Sequence, residues 1–196
     1  VVYKPFGMLS QFSGEGERKT LSELFSFPKD VYPVGRLDAE SEGLLILTND
    51  KRLNYELLHP EKFHCRTYLV QVEGEAGQED LKVIENGMWI RNRSRKVKTR
   101  NCMARIVTPP ACLAPRIPPV RFRKNIPTSW IEITLTEGKN RQVRKMTAAA
   151  GFPALRLIRT GIEDLKIGKM KPGEVNVMNK RTMYRLLKIS AVGSGA

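Results

Sequence analysis

Trp130-Ile131-Glu132-Ile133-Thr134-Leu135-Thr136-Glu137-Gly138-Lys139-Asn140-Arg141-Gln142-Val143-Arg144-Lys145-Met146 changes its period halfway along. Up to Thr136 apolar and polar residues alternate, the pattern of a strand with one buried face. Beyond Gly138 the apolar Val143 and Met146 stand three apart, and Arg141, Arg144 and Lys145 fall at i, i+3 and i+4. That spacing predicts a helix from about Asn140 to Ala150, ended by Gly151, with a cationic stripe and an apolar side. A strand that turns through glycine into a helix marks a mixture of α and β structure.

The flanking sequence settles which mixture. Val1–Lys4 reads as a strand, and Gly7 with Gly14-Glu15-Gly16 as a flexible loop. Thr20 and Glu23 form a capping box that opens a short helix through Leu21, Leu24 and Phe25. Val31–Val34 is extended, and Leu44-Leu45-Ile46-Leu47 is a buried strand. Asn49 or Asp50 caps a helix through Leu53, Leu57 and Leu58 that His59-Pro60 stops. Tyr68, Val70 and Val72 alternate as a strand, and Asp80–Asn86 is helical before Gly87. Lys96–Val107 forms one or two basic strands, and the prolines between Pro109 and Pro119 make the next connection extended and stiff. Strands at Ala154–Arg159 and Glu174–Met178, a Lys171-Pro172-Gly173 turn, and a helix from Lys180 come next. The terminal Gly193-Ser194-Gly195-Ala196 is expected to be disordered. Strands outnumber helices and hairpin connections mix with helical ones. The reading is α+β, with a mixed, mostly antiparallel central sheet and flanking helices. Residues 1–196 are read as a single domain of two packed lobes.

Charge narrows the partners. The chain holds 34 Lys and Arg against 20 Asp and Glu, a formal charge of +14. Eleven of the basic residues lie between Arg91 and Lys124, where no acid occurs. A block of this kind, interleaved with apolar residues, fits a polyanion such as nucleic acid. No apolar run approaches the roughly 18 residues that span a bilayer. The three cysteines, Cys65, Cys102 and Cys112, lack C-x-x-C spacing and suit a reducing, cytoplasmic setting. His59, His64 and Cys65 have no fourth partner at metal-ligand spacing. Trp89 and Trp130 fit packing within strands better than stacking on bases, and Glu40 and Glu42 are expected to be solvated.

Two places suit chemistry. In Val34-Gly35-Arg36-Leu37-Asp38-Ala39-Glu40-Ser41-Glu42-Gly43, an extended Arg36–Asp38 puts a guanidinium and a carboxylate on one face while Leu37 turns inward. The second is the Gly138–Met146 segment, whose amides and cations suit contact with nucleic acid.

Taken together, Lys4-Pro5-x-Gly7, Gly35-Arg36-Leu37-Asp38, Ser41-x-Gly43-Leu44-Leu45, Tyr68-x-Val-x-Val and Gly138-x-Asn140-Arg141-Gln142-Val143-Arg144-x-Met146 resemble the ordered motifs of bacterial ribosomal RNA pseudouridine synthases. Order and spacing resemble the subfamily typified by small-subunit pseudouridine synthase A, over Val1 to about Val177. Pro115-Arg116-x-Pro118-Pro119 and Ile126-Pro127-Thr128-x-Trp130 look more narrowly like the large-subunit (23S) E branch. Many members of the subfamily carry an S4-type RNA-binding domain, and no S4 domain is expected within residues 1–196. The usual Arg-x-x-Ile-Gly is replaced here by Arg159-Thr160-Gly161-Ile162-Glu163.

The resemblance implies a catalytic domain with a cleft across the sheet, acting on a uridine of ribosomal RNA, 23S by the E-branch likeness. It implies Asp38 as nucleophile, Tyr68 as stacking ring and proton acceptor, and Arg144 as the cation serving the nucleophile. RNA contacts are expected from Lys4, Arg36, Arg66, Lys139, Asn140, Arg141, Gln142 and Lys145, and from Arg121, Arg123 and Lys124 in the basic block. It also implies a cytoplasmic monomer without metal, cofactor or membrane contact. A non-catalytic RNA-binding protein would use the basic block without needing Asp38 or Tyr68. A glycosidase-like hydrolase would want two converging carboxylates, and only Asp38 has a convincing setting.

Overall fold

A computed structural model describes residues 1–14, 16–121 and 123–190. The Gly193–Ala196 stretch and Glu15 of the glycine loop lie outside the described residues. The chain is α+β, and it divides into two compact units, one made of Val1–His64 and the chain from Gly161 onward, the other of Cys65–Thr160.

The first unit opens with β1 (Val2–Lys4), whose three side chains are all buried. The capping box at Thr20 and Glu23 forms, over a single 3-10 turn rather than a longer helix. Then come β2 (Tyr32–Pro33), β3 (Glu42–Leu45), β4 (Leu47–Thr48) and α1 (Lys51–Leu58). Strand β1 pairs antiparallel with β3, placing Lys4 opposite Gly43, and β2 pairs antiparallel with β4. Of the two candidate caps, Asn49 and Asp50, it is Asp50 that caps α1, its carboxylate accepting from the backbone N–H groups of Arg52 and Leu53. The helix then lays Leu53 and Leu57 on a core that includes Leu44 and Ile46.

The second unit is built on β5 (Arg66–Glu73), which pairs along its whole length with β9 (Thr128–Leu135). Between them lie α2 (Gln78–Glu85), the hairpin of β6 (Trp89–Asn92) and β7 (Arg95–Lys98), and β8 (Met103–Ile106), which pairs with the far side of β9. After β9 come α3 (Gln142–Ala149) and β10 (Ala154–Ile162), which lies beside β5. Val70, Val72, Ile131 and Ile133 are fully buried, so the period-2 pattern marks the core face of this sheet. Helix α3 closes that core with Val143 and Met146.

The end of β10 returns the chain to the first unit, where Gly161 and Ile162 pair with β11 (Leu165–Lys166). The last element is α4 (Lys180–Leu186), whose Met183 and Tyr184 join Leu53 and Leu57 in the first unit's core. The expected strand at Glu174–Met178 does not form. Its Glu174 and Asn176 backbones bond to Tyr3 and Val1, but only Val175 makes a bridge and Val177 is 91% exposed. Among the described residues no helix is long and apolar enough to cross a membrane.

Candidate active site

In the first unit, Arg36, Leu37 and Asp38 lie outside helix and strand, between Gly35 and a turn at Ala39-Glu40. Gly35 adopts a left-handed φ of +70°, and a Cβ there would meet the Leu58 side chain at 3.1 Å, so this position requires glycine. Leu37 is buried, Arg36 is exposed and Asp38 is half-buried, so the alternation expected of this segment places Arg36 and Asp38 outward.

The loop is gripped from Lys4–Ser10, a separate stretch of chain. Buried Ser10 bonds Leu37 on both sides: its Oγ donates to the Leu37 carbonyl at 2.8 Å and accepts from the Leu37 N–H at 3.0 Å. The Gly7 N–H donates to the Ala39 carbonyl at 2.8 Å, and the Ser41 N–H to that of Asp38 at 3.0 Å. Lys4, expected on RNA, is fully buried instead. Its Nζ donates to the carbonyls of Pro5 at 2.8 Å, Met8 at 2.7 Å and Ala39 at 3.3 Å. An ammonium with three donors fits such a carbonyl cage, and so Lys4 shapes the Asp38 loop rather than reaching a ligand. Glu42, read as solvated, is likewise buried, as the start of β3. Ser10 carried no signal in the sequence, because one serine in a loop looks like any other.

In the second unit, Tyr68 lies on β5 opposite Ile133 and packs against the cluster that holds Val143 and Met146. Arg66 shares its face of the strand, two residues away. Behind Tyr68 stands a residue absent from the expected set: Arg159 of β10 is only 5% exposed and shares a hydrogen bond with the Tyr68 hydroxyl. Burial pulls its pKa below the usual arginine value, while the Tyr68 hydroxyl favours its charged form. A guanidinium at the hydroxyl of Tyr68 fixes the position of the ring.

The Gly138–Met146 segment differs from its expected form. The helix begins at Gln142, and Arg141 stands before it as N-cap with φ 50° and ψ 34°, so Arg141 does not belong to a helical stripe with Arg144 and Lys145. Gln142, expected on RNA, is buried. Its Oε1 accepts from the Lys139 N–H at 2.9 Å and its Nε2 donates to Glu137 Oε1 at 2.6 Å. Lys139 pairs with the same Glu137 carboxylate, which also receives the Arg100 N–H at 3.0 Å. Burial would raise the Glu137 carboxyl, but Lys139, the Arg100 N–H and Gln142 together hold it below its usual value. Lys139 and Gln142 thus brace the entry to α3 and leave Asn140 and Arg141 exposed. Lys145 folds back, Nζ donating to the Asn140 carbonyl at 2.6 Å and to its Oδ1 at 3.0 Å. Arg144 is half-buried, with one guanidinium N–H donating to the Ala154 carbonyl at 3.2 Å.

The basic block spreads over the surface of this unit. Arg121, Arg123 and Lys124 line a groove of about 480 Å³ together with Gln71, Glu73 and Thr128, and Arg123 pairs with Glu73 at 3.1 Å. Trp89, expected to pack within a strand, is 64% exposed, whereas Trp130 is half-buried on β9. His64 Nδ1 lies 3.2 Å from Glu163 Oε1, and among the described residues no three His, Cys, Asp or Glu side chains gather as a ligand set.

Comparison with known proteins points one way. The family model for RNA pseudouridylate synthase matches residues 1–149. A protein named ribosomal large subunit pseudouridine synthase E in Xanthomonas axonopodis pv. citri (strain 306) is 46% identical over 171 residues, spanning 86% of this chain and 87% of its own. Ribosomal large subunit pseudouridine synthase B of Bacillus subtilis (strain 168) is 30% identical over 197 residues, spanning 100% of this chain and 74% of its own. A crystal structure of a pseudouridylate synthase superposes with a TM-score of 0.75 at 22% identity, covering 95% of this chain and 71% of that one, and so shares the fold.

Proposed function

The chain belongs to the RNA pseudouridylate synthase family, and from that premise we propose that it isomerises one uridine of 23S ribosomal RNA, with Asp38 as the nucleophile. The observation that carries the assignment is the clamped loop. Ser10, Gly7 and Lys4 fix the backbone on either side of Asp38, leaving the carboxylate on a rigid support and Arg36 exposed beside it. A group that must meet one carbon of a bound nucleotide gains most from such preorganisation.

In the reaction the N1–C1′ bond of uridine breaks, the uracil rotates, and a C5–C1′ bond forms. The C5 proton is lost and N1 gains one, so the net change is an isomerisation needing no redox partner. A uridine stacked in RNA hides the bond to be broken and must be turned out of the stack. Arg36 fills the place it leaves. Asp38 acts as an ionised carboxylate, either on C1′ or as the base of a glycal route. Tyr68 stacks on the uracil and accepts the C5 proton, while the Arg159 guanidinium at its hydroxyl fixes the ring. Arg144 supplies the cation for Asp38. These roles belong to one catalytic domain of a cytoplasmic monomer.

Arg66, Asn140, Arg141 and Lys145, with Arg121, Arg123 and Lys124, contact the RNA. The exposure of Asn140, Arg141, Arg121, Arg123 and Lys124 supports this share of the work.

The test is direct. Wild-type protein incubated with a 23S rRNA transcript converts a uridine that mapping identifies. Asp38→Ala lowers the single-turnover rate by on the order of several powers of ten while RNA binding persists. Near wild-type turnover by Asp38→Ala would remove it from the chemistry.

A further inference from the structure

We propose that the outer face of the β6–β7 hairpin is a stacking platform for an unpaired RNA base, with Trp89 as its surface and Arg91, Lys96 and Lys98 as its phosphate contacts. The inference rests on RNA being the substrate and adds a second contact away from the reacting uridine.

The hairpin register makes the platform. Trp89 stands directly opposite Lys98, and Arg91 opposite Lys96, while the intervening pair Ile90 and Val97 turns the other way. Ile90 is buried in the second unit's core, and Trp89, Arg91, Lys96 and Lys98 are all exposed. Strand alternation therefore gathers one indole and three cations on a single outward face. None of these cations takes part in an ion pair among the described residues. The sequence from Arg91 to Lys124 brings no acid near to neutralise them.

An indole left in water on a rigid hairpin and bordered by cations is matched by a nucleotide, which presents a flat π-face and an adjoining phosphate. The same face suits a protein partner poorly unless that partner is strongly acidic. Position favours RNA as well. Helix α3 packs against β6, and Ile90 shares one core cluster with Val143 and Met146. The platform therefore belongs to the same rigid body as the exposed Asn140 and Arg141 that precede α3.

The chain has two tryptophans, so in a Trp130→Phe background Trp89 is the sole indole emitter. Adding single-stranded oligoadenylate is expected to quench its fluorescence by stacking, and absence of quenching overturns the proposal. Against a 23S rRNA fragment, Trp89→Ala is expected to weaken binding about 5- to 150-fold, the range for one stacked base. Trp89→Phe retains most of the affinity and Trp89→Leu does not. Trp89→Ala leaves the log–log salt slope unchanged, whereas Lys96→Gln with Lys98→Gln makes it shallower by about 1.4. Wild-type affinity in Trp89→Ala sinks the platform, and wild-type affinity in Trp89→Leu replaces stacking by a merely apolar contact, of the kind a protein partner would make. If the wild-type protein forms no pseudouridine, the proposed function fails. An active enzyme that ignores Trp89→Ala fails only the platform.

Discussion

Ser10 holds Leu37 by its N–H and its carbonyl at once, and both bonds are buried. Ser10→Ala strands those two backbone groups without offering water in exchange, a cost of about 1–3 kcal/mol. The looser loop also shifts the adjacent Asp38 carboxylate, so single-turnover pseudouridine formation is expected to fall about 10- to 100-fold, given how steeply rate depends on alignment. RNA affinity should hold, since no exposed cation changes. Chemical denaturation and single-turnover assays read the two effects, and wild-type values in both would show that the loop needs no clamp. Tyr68→Phe is the companion test in the second unit. It keeps the ring that packs against Val143 and Met146 but removes the hydroxyl at Arg159. Binding should be nearly unchanged and isomerisation slowed by about 10²- to 10⁴-fold, the usual contribution of a proton-transfer group. Equal single-turnover rates would exclude the phenol from the mechanism.

Helix α1 is tied to α4 by one carboxylate. Asp50 Oδ1 accepts the Arg52 and Leu53 N–H groups at 3.0 and 3.2 Å, while Oδ2 receives the Tyr184 hydroxyl at 2.8 Å and lies 2.9 Å from Lys180 Nζ. Burial alone would raise the Asp50 carboxyl, but the bonds from Lys180, Tyr184 and the Leu53 N–H hold it at about 2. Because the folded value is depressed, this stabilisation is complete above the unfolded value of about 3.9. It is lost as pH falls through about 2. Asp50→Asn keeps a capping acceptor but not the charge, and should cost about 1–2 kcal/mol near neutral pH. The gap in Tm from wild type should close as pH drops from 5 towards 2. A gap independent of pH would show that the charge contributes nothing. This cap was legible in the sequence, as were β5, β9 and α4, because each is specified by local chemistry or by a run long enough to show its period. Strand β6 was not, for its hairpin turns through Arg93 at φ 56°, where a glycine would have announced the turn. The stretch 174–178 reads as a strand by composition but makes only a single bridge to Val2, which no local pattern reveals. Lys4 is the same kind of case at the site, since a lysine caged by carbonyls and one that touches phosphate are identical in sequence.

Across the whole molecule the charge excess of +14 is the feature that most shapes encounter with RNA. Replacing Arg121, Arg123 and Lys124 together by Gln should weaken binding and make the log–log salt slope shallower by about 2, at roughly 0.7 per single-strand phosphate contact. Turnover at saturating RNA should stay within about twofold, because these side chains supply affinity rather than chemistry. An unaltered slope would mean that the groove they line stays in solvent. The interrupted layout of the first unit has a further effect, on the order in which the newborn chain can settle. Residues 65–160 leave the ribosome as one uninterrupted piece and carry their own core. Strand β1 precedes that piece, yet Tyr3 accepts from the Gly173 N–H and donates to the Glu174 carbonyl only after the whole piece has been translated. Met183, Tyr184 and Leu187, which complete the core over α1, arrive later still. The loop Asp38 occupies is thus translated before residues 65–160, while the unit that carries it can close only after them. Closing it brings together ends separated by a long intervening segment, so this step carries the larger loop-closure cost of the two units.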